Sequence, residues 1–343
     1  MHPDQQLALM RQAIEEQLQA RALHERKPQG LFAPINYTLR LGGKRLRPLL
    51  CCVAAATFSP EWQRALPAAA ALEIFHNFTL LHDDLMDRSP LRRGQETVFR
   101  RWGDNTAILS GDAMSIEAYA SLAEIEEKAL LGVIVPLFNQ MALEVCIGQQ
   151  LDMEFETRSE VRPEEYMEMI RLKTSVLLGA SLQIGALIGG AQPADALRLY
   201  EVGGASEGDA KKLYEAGIFL GLAFQIQDDL LDVYGEEATF GKPIGGDIIH
   251  AKKTLLLLYT LEQLQGDALS ELRSILALSP EERAGKVDRV RQFYDEAGTR
   301  AYAEGEVQRL TDRAFSLIDQ MELRDEGRSL LLALFHTLSG RTK

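Results

Sequence analysis

The chain has 343 residues, 46% of them hydrophobic, and a formal net charge of -13 at pH 7. That charge excludes a nucleic-acid backbone as the main partner, because such a partner needs a basic stripe. Its three cysteines, Cys51, Cys52 and Cys146, do not make a disulfide framework and predict buried thiols in a reducing compartment. The N-terminus lacks the pattern of a signal peptide, and we find no stretch approaching the ~20 apolar residues of a membrane span. We therefore predict a soluble, cytoplasmic protein.

Helical periodicity of the apolar residues runs almost from end to end, interrupted by short segments rich in Gly and Pro. The sequence has no convincing alternating strands and no Gly/Ser-rich linker. We predict an all-α fold in which residues 1–343 form a single domain, a bundle of ten or more helices.

In chain order, the first motif is GGKRLRP, which places Lys44 and Arg47 after two glycines. A glycine pair permits close approach of the backbone to an anion. Taken alone, the motif is weak evidence and is usually only a turn.

The next motif ends the helical segment EIFHNFTLLHDDLMD, in which Asp83, Asp84 and Asp87 form the first acidic cluster. Together with His76, these carboxylates fall on one stripe of a helix. Three like charges so close repel one another, and burial would be costly without a cation. The cluster therefore indicates a site for hard divalent ions, whereas a lone cluster of this kind is more often a solvated helix face.

Arg92 and Arg93 follow directly in PLRRG. They could form salt bridges with the first acidic cluster or bind phosphate oxygens bidentately. Further along, GQQLD carries Gln149 and Asp152, and RLKTS carries Lys173.

A 14-residue tandem near-repeat spans roughly 189–216, and a neutral surface insertion is its simplest interpretation.

The second acidic cluster, Asp228, Asp229 and Asp232, lies in the helical pattern FQIQDDLLD. Gln225 shares its face at i, i+3, i+4 and i+7. Basic residues follow the cluster: Lys242 in FGKPIGGD, then Lys252 and Lys253 in HAKKT. A second cluster embedded in an apolar helix favours metal binding over a solvated face for both.

Two carboxylate clusters with basic groups near them suit the ionisation of an allylic diphosphate. Carboxylates would hold Mg²⁺, the metal would bridge to phosphate oxygens, and Lys and Arg would complete the site. An apolar helical bundle would keep the resulting carbocation away from water.

These motifs, in this order, resemble the trans-type isoprenyl diphosphate synthases of the polyprenyl synthetase family, which includes farnesyl and geranylgeranyl diphosphate synthases. The resemblance runs from Gly42 through the C-terminal helices and rests on GGKRLRP, LLHDDLMDRSPLRRG, GQQLD, KT, FQIQDDLLD with GK, and DIIHAKK. It implies the isoprenoid synthase fold around a central apolar cavity, a homodimer, and Mg²⁺ as cofactor. It further implies three ions per active site, with Mn²⁺ as a substitute.

The resemblance also implies roles for individual residues. Catalytic roles fall to Asp83, Asp84, Asp87, Asp228, Lys173, Gln149 and Asp152. The metal ligands are Asp83 and Asp87 with Asp84 in support, and Asp228 with Asp229 and Asp232. Contacts to the allylic diphosphate are Arg92, Lys173, Gln225, Lys242 and Lys252, and Thr174 lines the carbocation site with Gln149 and Asp152. The site for isopentenyl diphosphate comprises Lys44, Arg47, His76 and Arg93.

Three other classes are less consistent with the motifs. A class I terpene cyclase replaces the second cluster with an Asn/Ser/Glu pattern, and a non-catalytic subunit loses carboxylates from one cluster. An acidic helical scaffold would leave the ordered motifs unexplained.

Product length is the open question at this stage. The resemblance places chain-length control just upstream of Asp83, at Phe78 and Thr79. Phe78 followed by the small Thr79 is most similar to the geranylgeranyl-forming pattern, although an aromatic residue at Phe78 could equally stop elongation at farnesyl. Around the helix, Thr79 lies about 40° from Asp83 and Phe78 about 140°. A longer-chain product is a further alternative.

Overall fold

The computed structural model describes residues 2–21, 23–190, 208–235, 244–278 and 285–340, and α-helices make up nearly all of it. The predicted all-α class with ten or more helices is confirmed. Single turns of 3₁₀-helix occur at Leu23–Glu25 and Trp62–Ala65. The helices are Pro3–Ala20, Gln29–Arg40, Leu46–Phe58, Leu66–Met86, Val98–Trp102, Asp104–Leu122, Lys128–Thr157, Pro163–Ile170, Val176–Gly189, Asp209–Tyr234, Gly246–Ile249, Leu255–Gln263, Gly266–Leu276, Lys286–Glu296, Thr299–Asp319 and Asp325–Leu338.

The chain divides into two compact units. Unit 1 comprises Met1–Asn139, Ala180–Tyr214 and Met321–Phe335, and unit 2 comprises Gln140–Gly179, Glu215–Gln320 and His336–Lys343. The single domain over residues 1–343 stays a prediction. Most of the tandem near-repeat, residues 191–207, lies outside the described residues.

Unit 1 is built around the helix Leu66–Met86, here called the first acidic helix. Pro67 lies in its first turn, where the missing N–H costs nothing. Its first half is rich in buried alanines, and such small side chains allow the helices Leu46–Phe58 and Asp104–Leu122 to pack closely against it.

The helix Asp209–Tyr234, here called the second acidic helix, carries the second cluster in its last two turns, which belong to unit 2. Nearby, the helix Pro163–Ile170 continues into Val176–Gly189 through a π-helical segment, Arg171–Ser175. Such widened turns are frequent at functional sites.

One strand pair departs from the sequence prediction. Leu91–Arg92 pairs antiparallel with Gln95–Glu96, and the turn between them is Arg93-Gly94. Both turn residues have positive φ, 53° and 74°, as a two-residue hairpin turn requires. The strands are two residues long, too short to show an alternating pattern in sequence.

Two helices pass a length and hydropathy test for membrane spans, which corrects the expectation that no stretch approaches that length. In Pro163–Gly189, 83% of the apolar window is buried, as in a core helix of a soluble protein. In Lys128–Thr157 only 39% is buried. The cytoplasmic location stays a prediction.

Cys51 and Cys52 are buried as predicted, but Cys146, on the helix Lys128–Thr157, is exposed.

Candidate active site

The first acidic cluster stands where the first acidic helix ends. Asp87 is the C-cap residue that follows the helix, and its N–H donates to the Asp83 carbonyl. Arg88 then adopts φ 52°, and the Ser89 N–H donates 3.0 Å to the Asp84 carbonyl. Glycine usually fills such a left-handed position, so Arg88 pays a conformational cost to end the helix directly after the carboxylates.

The hairpin positions Arg92 against the cluster. Its Nε donates to both carboxylate oxygens of Asp84, at 2.7 and 2.9 Å, and its Nη2 lies 3.6 Å from Asp83 Oδ2. The Asp84 side chain is 7% exposed. Burial raises the pKa of Asp84, and the bonds to Arg92 oppose this rise. Asp84 is therefore paired within the chain, whereas the Asp83 and Asp87 side chains are more exposed.

A group of cations lies next to the first cluster in unit 1. Burial lowers the pKa of Arg47 to about 10, with Glu73 opposing and Arg93 contributing, and Arg47 Nε is buried with no hydrogen-bond partner among the described residues. Burial and the charges of Arg47, Arg93, Arg92 and Arg45 hold the pKa of His76 well below 6.5.

The glycine pair of GGKRLRP lies against Arg93, and the approach of an anion to this pair stays a prediction. Arg93 donates to the Gly42 carbonyl, and a Cβ at Gly43 would lie 2.8 Å from the Arg93 guanidinium. Gly42 and Gly43 have φ 76° and 134°. The pair therefore lets the backbone pack directly on the guanidinium. Lys44 is exposed beside it.

Arg45, a basic residue of GGKRLRP to which the sequence analysis gave no role, supports this region from within the core. It binds Glu15 at 2.6 Å, Glu73 at 2.7 Å and the Leu39 carbonyl at 2.7 Å. Burial opposes its charge, but the two carboxylates raise its pKa overall. Arg45 is thus compensated, in contrast to Arg47.

The second acidic cluster is joined by two residues that the sequence reasoning missed. The Tyr166 hydroxyl donates to Asp229, which is buried, and the Asp247 N–H donates 3.0 Å to Asp232 Oδ2. Burial and the nearby Asp247 carboxylate raise the pKa of Asp229 well above its ordinary value, while bonds from Tyr166 and Gln225 oppose the rise. The only sequence signal for Asp247 was its place in GGD after the cluster.

The π-helical segment presents Lys173 and Thr174 to this part of unit 2. Lys173 Nζ lies 2.5 Å from Asp152 Oδ2, and the Thr174 hydroxyl donates 3.3 Å to Gln225 Oε1. Gln225 in turn donates 3.3 Å to Asp229 Oδ1. The structure thus brings together five predicted residues in one unit.

Close helix contacts at glycine hold the π-helical segment in place. A Cβ at Gly148 would lie 2.7 Å from Lys173 Cα, and one at Gly221 would lie 2.7 Å from Ser175 Cα. Only glycine allows both neighbouring helices to approach so closely.

The remaining predicted residues are placed as follows. Gln149 is half-buried on the helix that carries Asp152. Lys252 is exposed, with its Nζ 3.9 Å from Asp247 Oδ1. Lys242 lies outside the described residues. Phe78 and Thr79 are both half-buried. Phe78 makes edge-to-face contacts with Phe75 and His82, and the Thr79 hydroxyl donates to the His76 carbonyl.

The donor set of both clusters fits a hard divalent ion. In the described part of the chain, no group of three or more His, Cys, Asp or Glu side chains is arranged as a ready-made metal cage. Mg²⁺ does not need one, because it is commonly held by one or two carboxylates together with water and substrate phosphates. Burial and, after it, the neighbouring Asp247 carboxylate raise the pKa of Asp229, and a bound cation would oppose both by stabilising the ionised carboxylate.

Comparison with known proteins agrees with these features. The polyprenyl synthetase family model matches residues 28–296. A geranylgeranyl diphosphate synthase of Methanosarcina mazei is 39% identical over 238 residues, 69% of each chain. A geranylfarnesyl diphosphate synthase of Aeropyrum pernix is 32% identical over 323 residues, 92% of this chain and 96% of its own. The crystal structure of a geranylgeranyl pyrophosphate synthase is 40% identical, with a TM-score of 0.88 over 98% of this chain and 99% of that one.

An all-α fold with two helix-borne carboxylate clusters, each beside cationic side chains, defines the class of enzymes that act on prenyl diphosphates. The chain belongs to the polyprenyl synthetase family and is a trans-prenyltransferase. Members of this family generally use Mg²⁺. The resemblance stated from the sequence is confirmed.

Proposed function

We propose that the chain condenses isopentenyl diphosphate with dimethylallyl, geranyl or farnesyl diphosphate and releases geranylgeranyl diphosphate as its main product. The relative from Methanosarcina mazei supports this product length. The relative from Aeropyrum pernix makes a longer product the first alternative. Farnesyl diphosphate, a shorter one, is the second, because an aromatic ring at Phe78 could stop elongation early.

The observation that carries the proposal is uncompensated positive charge beside the first cluster. Arg45 is neutralised by Glu15 and Glu73, and Arg92 by Asp84. Arg47 and Arg93 instead have lowered pKa values. Burial destabilises the charged form of each arginine more than the nearby carboxylates stabilise it. A second anion would remove that cost, so this group suits the diphosphate of isopentenyl diphosphate.

We assign different side chains to the different steps of the proposed reaction. The diphosphate of the allylic substrate leaves with the electron pair of its C–O bond, and the double bond of isopentenyl diphosphate then forms the new C–C bond. Asp152, Gln149 and Thr174 offer oxygen atoms that stabilise positive charge on the allylic carbon. Arg92 in unit 1 is proposed as a diphosphate contact, and so is Lys173 in unit 2. The departing diphosphate accepts the proton that is released when the new double bond forms.

Magnesium, when bound, spreads the negative charge of the diphosphate and makes it a better leaving group. We propose Asp83 and Asp87 as its ligands in unit 1, with Asp84 orienting Arg92 rather than binding the ion. In unit 2 we propose Asp228, Asp229 and Asp232. Three ions per active site and replacement by Mn²⁺ belong to this proposal.

The test is incorporation of radiolabelled isopentenyl diphosphate with each of the three allylic primers, followed by separation of the dephosphorylated products. We expect a C₂₀ alcohol from every primer. A chelator should abolish incorporation, and Mg²⁺ or Mn²⁺ should restore it. Turnover in metal-free enzyme, or cyclic hydrocarbons in place of linear alcohols, would contradict the proposal.

Product length has its own test at Phe78 and Thr79. Phe78→Ala removes a ring and opens space that a flexible apolar chain can fill, so products should lengthen by at least one isoprene unit. Thr79→Phe should shorten them, since Thr79 lies nearer to the metal-binding side of the helix. Unchanged products in both variants would place chain-length control elsewhere.

We further propose a homodimer. The helix Asp104–Leu122 exposes Leu109 and Ile116, with 60% and 67% of their surfaces accessible. They are seven residues apart and therefore lie on one helical stripe. Burying an apolar stripe of this kind against a second copy of the chain lowers the free energy relative to leaving it exposed to water.

A further inference from the structure

Three rings follow one side of the first acidic helix: Phe75, Phe78 and His82. Their spacing of three and four residues places them on a single stripe. The ring centroids of Phe75 and Phe78 are 5.4 Å apart and those of Phe78 and His82 are 4.8 Å apart, with interplanar angles of 60° and 69°. Edge-to-face contacts of this kind favour one orientation of each ring.

The last ring of the stripe, His82, is fixed by the neighbouring helix Asp104–Leu122. Its Nε2 lies 3.1 Å from the Ile108 carbonyl oxygen, and because a carbonyl only accepts, Nε2 carries the proton. The imidazole also lies directly over Gly111: a Cβ there would be 2.5 Å from His82 Cδ2 and closer still to Nε2. A side chain at position 111 would displace the imidazole.

Phe78 is consequently held by both neighbouring rings. Phe75, three residues earlier on the helix, contacts the ring, and so does His82, four residues later. Phe75 is itself packed against Phe138, with centroids 5.3 Å apart. Phe78 remains half-buried, so part of the ring is still accessible. Contacts with two neighbouring rings favour one orientation of the Phe78 ring, which an unsupported ring would lack.

We propose that His82 and Gly111 are positioning residues for product length: they hold the Phe78 ring in the orientation that stops elongation. This inference rests on the proposed function, in which Phe78 limits the growing chain. Neither residue is assigned contact with a diphosphate or metal, so both act through Phe78.

The first experiment compares products of His82→Ala, His82→Phe and Gly111→Ala with those of the unmodified enzyme. His82→Ala frees Phe78 to move and should lengthen the product by at least one isoprene unit while the first condensation continues. His82→Phe keeps a ring in place and should retain the original length. Gly111→Ala displaces the imidazole and should lengthen the product as His82→Ala does. Gly305→Ala, at a helical glycine with no atom within 4 Å of its Cβ position, should change nothing.

A double variant tests whether His82 acts through Phe78. With Phe78 already replaced by Ala, His82→Ala should add no further lengthening, since no ring remains to be held. Unchanged products from His82→Ala, or additive shifts in the double variant, would overturn the inference. If Phe78→Ala and His82→Ala both leave product length unchanged, the assignment of Phe78 falls together with the inference. Failure of the unmodified enzyme to incorporate isopentenyl diphosphate would instead overturn the proposed function.

Discussion

At the scale of single residues, neighbouring carboxylates of the first cluster have different surroundings. Asp84 is bonded to Arg92 through both its oxygens, whereas the Asp83 side chain is 21% exposed and lies 3.6 Å from the same arginine. Adjacent positions on a helix point about 100° apart, so such a division of roles is built into the DD pair.

The division predicts different effects of two substitutions. Asp83→Ala should lower kcat by roughly a hundredfold or more with little loss of stability, because it removes a proposed metal ligand. Asp84→Ala should cost about 1–3 kcal/mol of stability, because it leaves Arg92 without its buried partner. Steady-state kinetics and thermal melting followed by circular dichroism measure both. The reverse pattern would assign the metal to Asp84.

His76 predicts a pH dependence of stability. Its folded-state pKa lies well below 6.5, so as pH falls below about 6.5 the unfolded chain takes up a proton that the folded chain does not. Stability from this residue is full above that pH and decreases below it, by at most about 1.4 kcal/mol per pH unit.

Urea denaturation at pH 7.5 and pH 5.5 checks this expectation. His76→Gln should lose less stability than the unmodified chain between these two pH values. His24→Gln serves as the control, since the His24 side chain is 52% exposed. An equal loss in His76→Gln and the unmodified chain would show that His76 titrates normally.

At the scale of secondary structure elements, the π-helical segment Arg171–Ser175 depends on the helices around it. Gly148→Ala would place a methyl group 2.7 Å from Lys173 Cα. The segment must then shift and move Lys173 away from Asp152. We expect a raised KM for the allylic diphosphate and a lowered kcat, measured by steady-state kinetics.

The helix Lys128–Thr157, which carries Gly148, also offers a matched control at Gly132. Gly132→Ala meets no atom within 4 Å and should keep full activity, with a gain of up to about 1 kcal/mol from better helix propensity. Wild-type kinetics in Gly148→Ala would show that the segment tolerates displacement.

The two acidic helices could be predicted from sequence because apolar spacing and charge placement are local properties. The hairpin that places Arg92 could not, since two-residue strands have no detectable period. The π-helical segment and the contacts of Tyr166 and Asp247 with the second cluster were also missed. They depend on how closely other helices approach, and this packing between segments far apart in the chain cannot be read from any local stretch of sequence.

At the scale of the whole molecule, two complete carboxylate clusters and a separate group of cations distinguish a two-substrate condensation from a cyclisation. The comparisons establish the family, and the relatives extend to both geranylgeranyl and geranylfarnesyl synthases. Product length therefore does not follow from membership of the family alone.

The proposed homodimer predicts the effect of a surface substitution. Ile116→Glu places a charge in the exposed apolar stripe and should convert dimers to monomers, because burying an unpaired charge is costly. Light scattering after size-exclusion chromatography measures the mass. Leu9→Glu, at an exposed apolar residue on a different helix, should leave the dimer intact. A dimer that survives Ile116→Glu would place the interface elsewhere.

The first acidic helix also bears on how this enzyme can evolve. Within the polar side predicted from the sequence, Glu73, Asn77 and Asp84 lie along one edge and bind other side chains of unit 1, and His76 and Asp83 lie along the other edge. The three rings lie on the opposite side of the helix. An inserted or deleted residue would rotate all later residues of the helix by about 100° relative to the earlier ones. Members of each set would then no longer lie on the same side of the helix. New product lengths should therefore arise by replacing one residue within the aromatic stripe, and natural or selected variants should conserve the length of this helix while varying its rings.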